Sequence, residues 1–151
     1  MKKYVYSFSL ITFITFMVSC ASSKSATTIS NGISLSDYKY IVFGREDDEG
    51  DAELADILMI VQNELSEKLT VVSPANAAAI ISNGGKVLSP RISVKSEKWD
   101  GGHTYISISF YDYATNQSVA VVKSSGIGLT ISHDQKLALS AIKKELDKTF
   151  K

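Results

Sequence analysis

The hydrophobic pattern changes period at Asn83-Gly84-Gly85, and this switch constrains the fold more than any other feature. Before it, Leu54, Ile57, Leu58, Val61, Leu65 and Leu69 fall at offsets of 0, 3, 4, 7, 11 and 15. That spacing lines one face of an amphipathic helix over 52–69. After it, 104–113 alternates, with Ile106, Ile108 and Phe110 pointing one way and Tyr105, Ser107, Ser109 and Tyr111 the other. A period of two describes a strand with one face in a core and one in water. A chain that carries both periods must pack helices on a sheet.

The remaining elements follow from local signals. Residues 38–43 are aromatic and β-branched, which predicts a first strand, and 70–73 predicts a short second one. Ser73-Pro74 reads as an N-cap followed by proline at the first helical position, opening a helix over 74–82 that the glycines stop. Residues 87–98 alternate in part, and Pro90 implies an edge strand or a kink. Turns are expected at 99–103 and 114–117. A long strand over 118–131 follows, where Gly126 and Gly128 suggest a bulge or bend. Ser132-His133-Asp134-Gln135 fits a capping box ahead of a last helix with Leu139, Ile142, Leu146 and Phe150 on one stripe. The order β-α-β-α-β-β-β-α predicts an α+β fold. The expected architecture is a two-layer sandwich built on a mostly antiparallel open sheet, with two long helices on one face and the other face partly exposed.

The N-terminus has a different character. Lys2 and Lys3 precede an apolar run of 15 residues, 4–18, interrupted only by Ser7, Ser9, Thr12 and Thr15. Such a run is short for a hydrocarbon core of about 30 Å. Met17-Val18-Ser19-Cys20 closes it. An ordinary secretory signal or an uncleaved anchor helix would also suit the apolar run. The small residue before Cys20, the polar stretch after it and the lack of a second cysteine favour lipidation. Together these residues resemble the signal peptide and lipobox of bacterial lipoproteins.

The resemblance implies that 1–19 is a lipoprotein signal peptide and that the mature chain begins at Cys20. The Cys20 thiol would carry a diacylglyceryl group and its amino group a further acyl chain such as palmitate, making the lipid bilayer the first partner. Several acyl chains anchor stably where one does not. Ala21, standing where an aspartate resembles an inner-membrane retention signal, favours the outer membrane, with the domain facing the periplasm. Residues 20–36 are expected to be the lipidated N-terminus and a flexible tether; the sixteen residues after Cys20, rich in Ser, Thr and Ala, reach about 20–24 Å as a coil. Residues 37–151 are expected to form a single globular domain. Because Cys20 is the only cysteine, no disulfide can form within the chain, and the fold must rest on its core. The 132 residues from Cys20 onward amount to one domain, large enough to hide roughly two-thirds of its unfolded surface.

Charge excludes some partners. Without Lys2 and Lys3 the chain has 14 basic against 16 acidic side chains, a formal charge of −2, which is no footprint for nucleic acid or an anionic membrane surface. The acidic run Glu46-Asp47-Asp48-Glu49-Gly50-Asp51 fails as an EF-hand loop: with Gly50 at the sixth position, Arg45 would stand first and Asp56 twelfth. It suits a solvated loop ahead of a helix N-terminus. His103 and His133 are the only histidines and lack the spacing of a zinc motif. Ser125-Gly126-Ile127-Gly128 lacks the third glycine of a nucleotide fingerprint and lies within a strand. No serine lies in Gly-x-Ser-x-Gly. Neither an enzyme nor a metal or other cofactor is therefore expected.

The candidate binding residues are Tyr105 and Tyr111 on the polar face of the alternating strand, with Trp99 at its hairpin. Tyrosine is enriched at interfaces, although a half-wet sheet face uses it as readily for its β propensity. The layout of the mature domain is similar to that of small envelope lipoproteins that act as accessories, such as synthase activators or secretion-channel components; no functional residue carries over from that likeness. The expected role is a membrane-anchored, non-enzymatic accessory or binding module for an envelope protein or cell-wall partner. The alternatives are a small envelope hydrolase or metal-dependent enzyme, and a self-assembling structural subunit. The sequence leaves the oligomeric state open.

Overall fold

The computed structural model describes residues 21–44, 52–97 and 102–151. Six strands form one sheet: β1 (Ser22–Ile29), β2 (Tyr38–Ile41), β3 (Thr70–Val71), β4 (Lys86–Glu97), β5 (His103–Asp112) and β6 (Ser118–Ile127). Three α-helices complete the fold: α1 (Ala52–Lys68), α2 (Pro74–Ser82) and α3 (Ile131–Thr149). The strand order is β1-β6-β5-β4-β2-β3. β4, β5, β6 and β1 pair antiparallel, while β2 runs parallel to both β4 and β3. The architecture is the expected α+β arrangement with a mostly antiparallel open sheet.

The core lies between the sheet and the two long helices. From α1 come Ile57, Val61 and Leu65, with Leu69 just past its end, and from α3 Ala138, Ile142 and Leu146, all in one buried cluster with Ile106, Ile108 and Phe110 of β5. Phe110 also meets Phe150 edge to face, with centroids 5.3 Å apart. The helical spacing read in 52–69 thus becomes the buried stripe of α1. The short helix lies on the opposite side, where Ala77, Val42 and Val87 form a small second cluster beneath Ile80 and Ile81. Ser73 caps α2 through the Asn76 amide at 3.2 Å. At its other end, Gly85 N–H donates to the Ile80 carbonyl and Gly84 N–H to that of Ile81. This closure needs a left-handed residue, and Gly84 supplies it at φ +81°.

Four expectations are corrected. The stretch expected to be a tether contains a strand: Ser22–Ile29 pairs with β6 along its whole length, Ser22 opposite Ile127 and Ile29 opposite Ala120. Its composition carries little apolar signal, and its partners are 90 or more residues away in the chain. Pro90 does not make β4 an edge strand, because β4 lies between β5 and β2, but it stands where the β2 pairing has ended and that side of β4 is open. The Leu88 carbonyl accepts from Val42 N–H on the β2 side. Two residues on, the Pro90 nitrogen faces that same side, beyond the end of the β2 pairing, so no ladder bond is lost.

Gly126 makes no bulge, since its register with Thr104 is regular. The glycine admits a helix instead: a Cβ there would stand 2.6 Å from Ala138 N and 2.8 Å from Leu137 Cβ. The last helix is capped by Thr130, whose hydroxyl accepts from His133 N–H at 3.2 Å. Ser132 therefore lies inside the helix, and the capping box does not form.

Candidate functional site

Strand alternation leaves one side of β5, β6 and β1, and of β4 beyond Val87 where α2 packs, without a helix among the described residues. Cross-strand pairing orders this open face in rows. In the first, Lys95 stands beside Tyr105, Tyr105 beside Ser125, and Ser125 beside Lys24. In the next, Ser93, Ser107, Lys123 and Ala26 are neighbours. In the third, Arg91, Ser109, Val121 and Thr28 follow. The register places Tyr111 beside Ser89 at the end of this surface.

Tyr105 and Tyr111 therefore share the face, as the alternation predicted, but their surroundings differ. Tyr105 is 41 % exposed, and its hydroxyl meets His103 Nδ1 at 2.9 Å. Tyr111 is half-buried, with the Arg91 guanidinium 4.9 Å from its ring centroid. A stacked cation of this kind is held in place by the ring quadrupole. Trp99, the third candidate, and Cys20 lie outside the described residues, as do the acidic loop 46–51 and Asp100.

Four cationic side chains stand on this face, Lys24, Arg91, Lys95 and Lys123, and all are exposed. None forms an ion pair with another described residue. Glu97 is the face's one carboxylate among the described residues; it sits at the margin, 4.0 Å from His103 Nδ1. A shallow hollow of about 330 Å³ lies between Lys24 and Lys123, with Tyr105, Ala26 and Ser125 in its lining. A domain without basic excess thus gathers cations on one surface. Sequence reasoning missed this cluster because its members lie on three strands and meet only through the register.

Two carboxylates are tied to structure. Glu145 of α3 is buried against β1, where it accepts from Ser25 Oγ and Thr27 Oγ1, both at 2.9 Å, and pairs with Lys148 at 3.2 Å. The hydrogen bonds from Ser25 and Thr27 lead in holding its carboxyl below the ordinary range. Asp112 closes the β5–β6 turn by accepting from the Ala114 and Thr115 amides, and it also accepts from Tyr38 Oη at 3.0 Å. Burial alone would raise the Asp112 carboxyl, but the bonds from Thr115, Tyr38 and Ala114 outweigh it and lower it. Burial first, then the bond to Asp112, pushes the Tyr38 phenol up to about 12.

Asp134 is different. It is fully buried in the first turns of α3, and neither carboxylate oxygen has a hydrogen-bond partner among the described residues. It lies against the backbone of Gly102 and Gly128, at the positive end of the helix dipole. No group of three or more His, Cys, Asp or Glu among the described residues is arranged to hold a metal ion. No helix among them is long and apolar enough to cross a membrane.

No family model matches this chain, and no curated protein does. Among solved structures it is similar to a variant of the PelC dodecamer from Paraburkholderia phytofirmans, at 18 % identity and a TM-score of 0.52, over 85 % of this chain and 99 % of that one. A second structure of the PelC dodecamer from the same organism matches at 16 % identity and a TM-score of 0.49, over the same shares of each chain. At such identity the first likeness establishes a shared fold and nothing finer.

Proposed function

We propose that this protein is a membrane-anchored envelope lipoprotein, held by acyl chains on Cys20 and acting as a non-enzymatic accessory whose open sheet face binds an envelope protein or cell-wall partner. The observation that carries this reading is the open face itself. Four paired strands present Tyr105, the edge of Tyr111 and four cations on one surface, with no described helix over the rows from Arg91 to Lys95. Ordered strands hold such a surface rigid, which lowers the entropy lost on binding. The lipobox-like Met17-Val18-Ser19-Cys20 supports the anchor, and Ala21 supports the outer membrane facing the periplasm.

The test is cross-linking in intact cells through photoreactive groups at positions 105 and 111, with mass spectrometry of the captured species and of the Cys20 peptide. One dominant envelope partner and an acylated Cys20 are expected. Unmodified Cys20 would remove the anchor, and loss of capture at both positions would remove the binding face.

A second reading is a self-assembling structural subunit. It is favoured by the dodecameric state of the PelC structure and by the outer edge of β1, which is unpaired among the described residues and offers backbone groups to a neighbour. Native mass spectrometry separates the two: a monomer that captures a foreign protein supports the first, and a closed ring of one size the second.

A further inference from the structure

The cations on the open face ask for a specific chemistry. Lys24, Lys95, Lys123 and Arg91 occupy a patch about 14 Å across the strands and about 13 Å along them, from ordinary strand spacings. Between and beside them the register places Ser93, Ser107, Ser109, Ser125 and Thr28, short hydroxyl side chains that keep the surface flat. Tyr105 rises from it at one wall of the hollow framed by Lys24 and Lys123.

We propose that this face binds an acidic polysaccharide: the four cations would take its carboxylates, the hydroxyl rows its sugar hydroxyls, and Tyr105 the apolar side of one ring. The proposal rests on the reading of this face as the partner surface and names the partner's chemistry.

The make-up of the face favours this occupant over two other polyanions. Single-stranded nucleic acid needs aromatic rings on which successive bases stack. Here Tyr105 and Tyr111 lie six residues apart on one strand, about 20 Å, and the Tyr111 ring already carries Arg91. A lipid surface is met by cations joined to large exposed apolar side chains. Within its strands this face has Tyr105 as its one exposed large apolar side chain; Tyr113 and Leu129 stand beyond the ends of β5 and β6. A polymer rich in hydroxyls and carboxylates matches a surface rich in serine and lysine.

The experiment uses the full-length protein as purified, held in phosphatidylcholine discs, with polygalacturonate as probe and neutral dextran and single-stranded DNA beside it. Chemical modification of lysines, read by mass spectrometry, reports which are covered. Polygalacturonate should bind, weaken as salt rises, and shield Lys24, Lys95 and Lys123 while dextran shields none. The double variant Lys24→Glu/Lys123→Glu should bind about tenfold more weakly, since each change puts like charge against the polymer. Lys136→Glu/Lys144→Glu, on the exposed side of α3, should bind as before. Unfolding midpoints near the parent's for both double variants keep the comparison valid.

Absence of polygalacturonate binding would overturn the proposal. So would equal loss in both double variants, or tighter binding of DNA. Shielding of the three lysines on moving from phosphatidylcholine to phosphatidylglycerol discs, without polymer, would assign the face to the membrane and overturn it too. In each of these cases a protein captured in cells through position 105 or 111 would leave the accessory reading standing; loss of that capture with polygalacturonate binding intact would do the reverse.

Discussion

The two faces of β5 sit on the same backbone and obey different rules. Ile106, Ile108 and Phe110 are at most 1 % exposed beneath α1 and α3, whereas Tyr105, Ser107 and Ser109 on the other side meet no helix. On the first face each side chain is fixed by volume, because a buried methylene left without neighbours costs both transfer and cavity energy. On the second, packing asks little, so composition is free to follow recognition. Stability and binding should therefore separate along a single strand.

The sharpest way to break that comparison is at its buried end. Phe110→Ala should destabilise the protein by about 3–5 kcal/mol, the usual range for emptying a closed aromatic site, read as a lower midpoint in urea unfolding. A loss below 1 kcal/mol would mean that the helix layer is not the core. Next comes the contact between sheet and helix. Gly126→Val puts atoms where the Ala138 amide and Leu137 Cβ already stand, so α3 must lift; about 1–3 kcal/mol is expected for such overpacking.

Smaller effects belong to the edge. Glu145→Ala should cost about 1–2 kcal/mol, because the freed Ser25 and Thr27 hydroxyls are part-exposed and can turn to water. Amide exchange should quicken first in β1. Since the folded Glu145 and Asp112 carboxyls lie below their ordinary 4.5 and 3.8, their stabilisation is complete above those values and is lost as pH falls through the lower folded ones. Acid titration of the urea midpoint should thus show a drop below about pH 4, shallower in Glu145→Ala. The smallest change is Tyr105→Ala on the open face, within about 0.5 kcal/mol, yet it should reduce partner capture. A large stability loss there would show that Tyr105 serves packing instead.

Much of the fold was legible along the chain. The stripe of α1, the Ser73-Pro74 start of α2 and the alternation of β5 are local patterns, and locality is what a single sequence displays. The two tyrosines were legible as members of one face for the same reason. The pairing of Lys24 with the β6 neighbourhood was not, because residues 24 and 123 lie far apart in the chain. Nor was the burial of Asp134, a carboxylate in the first turns of a helix, which depends on Gly102 and Gly128 leaving room against it.

Local periodicity by itself determined the α+β class, the elements from 38 onward and the separation of a buried from an open side, because burial imposes a period on whatever segment undergoes it. Tertiary structure alone decided the fate of Ser22–Ile29. Its Ser, Thr and Ala side chains resemble a linker and bury little. It becomes a strand because β6 offers an unpaired edge and Glu145 offers a buried carboxylate for Ser25 and Thr27 to satisfy. Both partners are supplied by residues nearly a hundred or more positions downstream, beyond the reach of any pattern within the segment.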